Sequence, residues 1–234
     1  MTALFDYPKA AAFGRVVPKT RIYEHAGAGT TLRDLFVTQV DQVVWTFKLA
    51  PETLNLAATR TVGEIQVFSI SLRTGELDEE VLRAIDRAIP FPLIFELTWS
   101  GKRRVIAAFK RPSEADPTKW VLSEYFATDW TPEGAPRRPL PVALNLGALY
   151  DSILTSIMPA SATTGEDIQA RVARMETIRA KAREVERIKA RLSREKQFNK
   201  RVAINAQLRA LSQELAKLQQ GNDLTIDCSG STDS

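Results

Sequence analysis

The most regular stretches of this chain alternate in two different periods, and the switch between them divides it. In Ile65-Gln66-Val67-Phe68-Ser69-Ile70-Ser71-Leu72 the polar residues partly alternate with apolar ones, the mark of a strand with one face buried. Val43 to Phe47, Leu93 to Trp99, Arg104 to Phe109 and Trp120 to Phe126 are rich in β-branched and aromatic residues and also read as strands, the middle two joined by a turn at Ser100-Gly101-Lys102. Leu32, Leu35, Phe36 and Val40 lie on one helical stripe that Thr30 or Thr31 could cap. Leu77 to Ile89 reads as a second helix, with acidic residues in its first turn and Pro90 and Pro92 beyond its end. The proline-rich stretch from Thr131 to Pro141 is a connector, and a helix from Leu146 to Met158 closes the domain. Val17 to Arg21 reads as an extended arm, because Pro18 disfavours the helical region at Val17. This pattern predicts an α+β domain over residues 1–160, built on a mostly antiparallel sheet with flanking helices.

After Gly165 the period becomes helical and stays so. From Glu166 to Gln220 there is neither Gly nor Pro. Apolar residues recur at steps of three and four through Ile168, Val172, Met175, Ile178, Ala182, Val185, Ile188 and Leu192, and again through Ile204, Leu208, Leu211, Leu215 and Leu218. Between the runs, Ser193-Arg194-Glu195-Lys196-Gln197 interrupts the seam, which Phe198 and Val202 are expected to resume. The gap fits either the turn of a helical hairpin or a phase slip in a continuous helix; with no helix breaker there, the favoured reading is one continuous coiled-coil helix over 166–220, about 80 Å long at 1.5 Å per residue. Ile178, Val185, Leu192, Leu208, Leu211 and Leu215 are its expected partner-binding residues, for self-association or for a protein partner. Residues 221–234, rich in Ser, Asp and Thr, read as a disordered tail.

Charge sharpens the division. The net charge is +4 over 234 residues, yet residues 164–220 carry 14 Lys and Arg against 7 Asp and Glu, leaving the rest of the chain slightly acidic. Ten cations against three anions lie between Arg179 and Arg201. Such a run attracts a phosphate backbone without reading sequence, with Arg183, Arg187, Arg191, Arg194, Lys196 and Lys200 as the candidate contacts. The same residues also fit a solvated coiled-coil flank or an acidic protein partner.

Chemistry is sparse by comparison. A single cysteine, Cys228, permits neither an internal disulfide nor a cysteine-based zinc site, and no apolar run is long enough for a membrane span, so the expectation is a cytoplasmic chain without membrane contact. His25, the only histidine, has no partner motif and reads as an ordinary surface residue. Gly27-Ala28-Gly29-Thr30-Thr31 lacks the phosphate-loop Lys-Ser/Thr, and no cofactor site is expected. Trp99, Trp120, Tyr125 and Trp130 fit packing in a sheet better than base stacking. One catalytic alternative stands: a Mg²⁺-dependent nuclease using Asp41 with Glu64 and Gln66, since residues two apart on a strand share a face, although the terminal lysine of such a pattern is missing.

Four segments together, Lys48-Leu49-Ala50-Pro51-Glu52-Thr53-Leu54-Asn55-Leu56, Glu64-Ile65-Gln66-Val67-Phe68, Ile85-Asp86-Arg87-Ala88-Ile89-Pro90-Phe91-Pro92 and Lys196-Gln197-Phe198-Asn199-Lys200-Arg201, resemble the bacterial domain-of-unknown-function family four-three-nine-one over nearly the whole chain. The resemblance implies a setting beside helicase-like ATPases and DNA methyltransferases of restriction or phage-defence type, and it offers no catalytic residues to carry over. The function expected is therefore a non-catalytic accessory or scaffolding subunit that docks through its coiled coil, with a helicase or methyltransferase as partner.

Overall fold

The computed structural model describes residues 4–116, 119–159 and 165–220. It divides into two compact units, residues 1–159 and 160–234.

The first unit is organised around a twisted sheet whose strands follow the order β2-β3-β4-β5-β6-β7: β2 (Ala12–Val16), β3 (Val40–Leu49), β4 (Ile65–Leu72), β5 (Leu93–Trp99), β6 (Lys102–Pro112) and β7 (Trp120–Ala127). Neighbours are antiparallel except β4 and β5, which run parallel because α4 (Glu79–Ala88) carries the chain across between them. The mixed α+β class and the mostly antiparallel sheet agree with the sequence pattern, and β4 and β5 have the bounds it predicts. Between β5 and β6 the two turn residues, Ser100 and Gly101, both take positive φ, the geometry that lets a two-residue turn follow the twist of its strands.

Every residue of β4 except Ser69 and Ser71 is buried, so this strand is central and covered on both faces. Phe68, Ile70 and Leu72 face a core shared with Phe36 of α2 (Thr30–Gln39) and with Val81, Leu82 and Ile85 of α4. The opposite parity supplies Ile65 and Val67. A further helix, α5 (Leu146–Ile157), capped by the Asn145 side chain on the Ala148 N–H, buries Leu146, Leu149, Tyr150, Ile153 and Leu154 and packs on β6 and β7.

Three local readings change. The arm expected from Val17 to Arg21 turns after Pro18 into α1 (Lys19–Ala26), which Gly27 ends in the left-handed conformation; Pro18 precedes the helix, where its fixed φ costs nothing. His25 therefore sits on a helix, its Nδ1 2.8 Å from the Arg21 carbonyl, and is exposed. The proline-rich connector includes two-residue strands, β8 (Thr131–Pro132) on β6 and β9 (Arg138–Pro139) on β1 (Phe5–Asp6). It is held down by Arg137, whose guanidinium donates to both oxygens of the buried Glu96 carboxylate at 2.9 and 2.6 Å and to the Phe5 carbonyl at 2.6 Å.

The second unit corrects the continuous-helix reading. Two helices, α6 (Ile168–Arg194) and α7 (Phe198–Gln220), are separated by Glu195, Lys196 and Gln197 and pack on each other. An ion pair between Lys181 and Glu214, 33 residues apart, shows the fold-back, since one straight helix would hold them about 50 Å apart. The break uses no Gly or Pro. Glu195 leaves the helix at φ −78° and ψ 127°, a conformation open to any residue, and its carboxylate accepts from the Gln197 N–H at 2.9 Å, which favours a new helix start there. Ile178, Val185 and Ile188 of α6 and Ile204 of α7 are buried, each stabilising the fold by about 1.5–3 kcal/mol. The chain thus covers part of the seam that a partner helix was expected to cover. The tail at 221–234, with Cys228, lies outside the described residues.

Candidate functional site

The sequence names two groups of candidate residues, and tertiary structure treats them differently. The carboxylate group is taken apart. Asp41 stands at the start of β3, paired with Arg73 at 2.9 Å, whereas Glu64 precedes β4 beside the other end of β3. Seven residue steps of extended chain lead from Asp41 to Lys48, which lies opposite Gln66, a span of about 23 Å. Asp41 and Glu64 therefore do not share a site. Glu64 and Gln66 do share a face, but they are spent on each other: Gln66 Nε2 donates to Glu64 Oε1 at 2.6 Å. Lys48 approaches Glu64 at 3.2 Å and Glu52 at 2.7 Å. The hydrogen bonds to Glu52 and then Glu64 raise the Lys48 pKa. Around them Thr53 Oγ1 accepts from the Ala50 N–H and donates to the Lys48 carbonyl, and Asn55 takes the left-handed conformation that ends the short helix α3 (Pro51–Leu54). The first two motifs of the family resemblance thus meet in a turn and ion-pair cluster that closes one end of β3 and β4.

The third motif also has a structural occupation. Asp86, on α4, is buried with Lys110 of β6, whose ammonium lies 3.4 Å from the carboxylate and donates to the Asp86 and Ile89 carbonyls at the C-terminus of α4. Tyr125 donates to the second oxygen of Asp86. Burial raises the Asp86 pKa and lowers that of Lys110, each opposed by the charge of the other. Lys110 was invisible as a functional partner in the sequence because nothing in its strand pattern marks a helix cap from another element.

The aromatic residues pack as expected. Tyr125 is buried, Trp99 and Trp130 stand 6.4 Å apart with Trp99 against Gly75, and Trp120 covers the Lys110 ammonium at 5.6 Å.

The basic group is assembled. Arg187, Arg191 and Arg194 follow one another at steps of four and three, so they form a single stripe on α6, and all three are exposed. With Ala190 and Glu195 they line a shallow recess of about 400 Å³ at the point where the chain reverses. Lys196, Lys200 and Arg201 continue the cationic surface around the turn, exposed as well. No ion pair engages any of these six cations among the described residues, whereas Lys181 pairs with Glu214 and Lys189 with Glu186 at 2.7 Å. Arg183 is exposed one turn before the stripe.

Two apolar side chains join them. Phe198 is 78% exposed and Val202 53%, which corrects the expectation that they resume the seam. The reason is helical phase: at 100° per residue Val202 points about 200° away from the buried Ile204, and Phe198 is one turn before Val202 on that same outward face. The signal was present in the sequence, since Val202 and Ile204 are only two residues apart and cannot both lie on one helical stripe.

Ile178 and Val185 are buried, while Leu192, Leu208, Leu211 and Leu215 are half-buried. Among the described residues there is no group of three or more His, Cys, Asp or Glu placed to hold a metal, and no helix long and apolar enough to cross a membrane.

The molecule is thus a mixed α+β domain followed by a helical hairpin with a basic tip. Its sequence matches the profile described as Domain of unknown function (DUF4391) over residues 5–215, a span that includes both units and the tip, and the chain belongs to that family. No curated protein and no solved structure matches it.

Proposed function

We propose that this chain is a non-catalytic accessory subunit of a bacterial DNA-processing or phage-defence complex that contacts the nucleic-acid backbone, without reading sequence, through the tip of the α6–α7 hairpin. The observation that carries this reading is the stripe of Arg187, Arg191 and Arg194, exposed, without ion pairs and bordering one recess. These six cations make no ion pair and crowd one reversal, where the Glu195 carboxylate offsets their repulsion only in part, through Arg191 and Lys200; an anionic ligand would remove the rest. Guanidinium groups one helical turn apart, about 5–6 Å between Cβ atoms, can reach successive phosphates along one strand.

The test is a titration of the full chain against fluorescent duplex DNA at two salt concentrations, repeated with Arg187, Arg191 and Arg194 all replaced by Gln. Binding should weaken with salt by about 0.9 log units per log unit for each phosphate neutralised, and the triple variant should flatten that slope by up to about three such contacts. Undetectable binding at low salt of duplex and of single-stranded DNA alike overturns the reading. A docking role then stands instead, favoured by the half-buried Leu208, Leu211 and Leu215 on one stripe of α7, and would be read from the oligomeric mass of the chain.

A further inference from the structure

Phe198 has no role in binding a phosphate, yet it is the most exposed aromatic ring described at the basic tip, 78% open to solvent at the first residue of α7. We infer that Phe198 is a stacking platform for an unpaired base, so that the hairpin tip binds single-stranded nucleic acid in preference to duplex. The inference rests on the nucleic-acid reading above and names the class of strand that reading leaves open.

The argument starts from what a phenyl ring can offer. It has no donor or acceptor and cannot read a base edge, but it has a face of the size of a base, and stacking on it is tolerant of sequence. In a duplex both faces of each base are already stacked on neighbours, whereas a single strand presents them freely. The surroundings fit the same ligand: Lys196 lies in the break two residues before Phe198, Arg201 lies three residues after it on the same side of α7, and the arginine stripe of α6 borders the reversal next to it. A ring flanked in this way lets one nucleotide place its base on the aromatic face while its phosphates meet the cations. Val202, one turn on, extends the apolar surface along the same side of α7. An apolar groove on a protein partner would match the phenyl ring but, unless carboxylates rimmed it, not the six cations. An anionic lipid surface would match the cations but calls for a broader apolar face than Phe198 and Val202 provide.

The experiment uses the full chain with fluorescent oligothymidylate and with a duplex of equal length, at fixed low salt. Phe198 is exposed, so Phe198→Ala should leave the circular dichroism spectrum and melting temperature unchanged. It should weaken oligothymidylate binding about five- to 150-fold, the span found when stacking aromatics are truncated, and change duplex binding less than twofold. Phe198→Trp should retain wild-type affinity for oligothymidylate. The inference is overturned if Phe198→Ala binds oligothymidylate as well as the wild type, or loses both ligands equally, while the nucleic-acid reading survives either result. Binding of neither ligand by the wild type would instead overturn that reading. A third arm with phosphatidylglycerol vesicles identifies a lipid ligand: vesicle binding lost in Phe198→Ala, without oligothymidylate binding, overturns the inference in favour of a membrane surface.

Discussion

The Lys110 ammonium lies 3.4 Å from the Asp86 carboxylate, with Lys110 2% and Asp86 5% exposed, and it simultaneously caps the carbonyls that end α4. One side chain from β6 thus neutralises a buried acid and satisfies helix-end acceptors that would otherwise face an apolar core. The arrangement locks the crossover helix onto the sheet, and with it the parallel pairing of β4 and β5.

Replacing Lys110 by Met keeps most of the volume and removes both services. The loss should be roughly 3–5 kcal/mol, the usual result of stranding one member of a buried pair. Urea denaturation measures it, and Lys110→Met combined with Asp86→Asn should recover part of the loss by removing the stranded charge. A midpoint unchanged from wild type would show that the cap is dispensable.

The hairpin carries its own acid sensitivity. Lys181 holds the Glu214 carboxyl below its ordinary value by hydrogen bonding and charge. A depressed folded pKa means that the unfolded chain binds more protons in the window between the two values, so the contribution is present above the ordinary carboxylate pKa of 4.5 and disappears as pH falls through the lower folded value. Glu214 is exposed, so the effect is small, but its direction is definite. Melting of the wild type should fall more steeply with acid than melting of Glu214→Gln over that window, as followed by circular dichroism at 222 nm. Equal pH profiles would remove the pair from the account of the fold-back.

The placement of Asp41 and Glu64 leads to a prediction about chemistry. Two-metal or single-metal phosphodiester cleavage needs oxygen ligands converging within a few ångströms, and about 23 Å of strand separates these two neighbourhoods. Incubation of the pure chain with Mg²⁺ or Mn²⁺ and labelled single-stranded or duplex DNA should leave the substrate intact. Cleavage that disappeared in both Asp41→Ala and Glu64→Ala would restore the nuclease alternative and overturn the non-catalytic reading.

The elements with strong periodicity were legible in the sequence because each depends on its own residues. The run from Ile65 to Leu72 specifies a strand whatever its neighbours do, although the fold covers both of its faces and not the one expected, and Pro90 bounds α4 locally. The arginine stripe was legible for the same reason: steps of four and three place Arg187, Arg191 and Arg194 on one side of any α-helix that includes them. Tertiary structure alone decided which candidates meet. Asp41 and Glu64 look like members of one set on a sequence line, but register places them at opposite ends of β3, and Lys48 comes to Glu64 from the neighbouring strand. The sequence marks the break in the seam at Ser193–Gln197 but does not decide that the chain folds back there, because the turn needs no Gly or Pro, only an extended ψ that every residue can adopt. What drives it is burial of Val185, Ile188 and Ile204 between two helices of the same chain, a long-range gain that no local pattern records. The exposure of Phe198 follows from that reversal, since its side of α7 is defined only by the helix against which the other side packs.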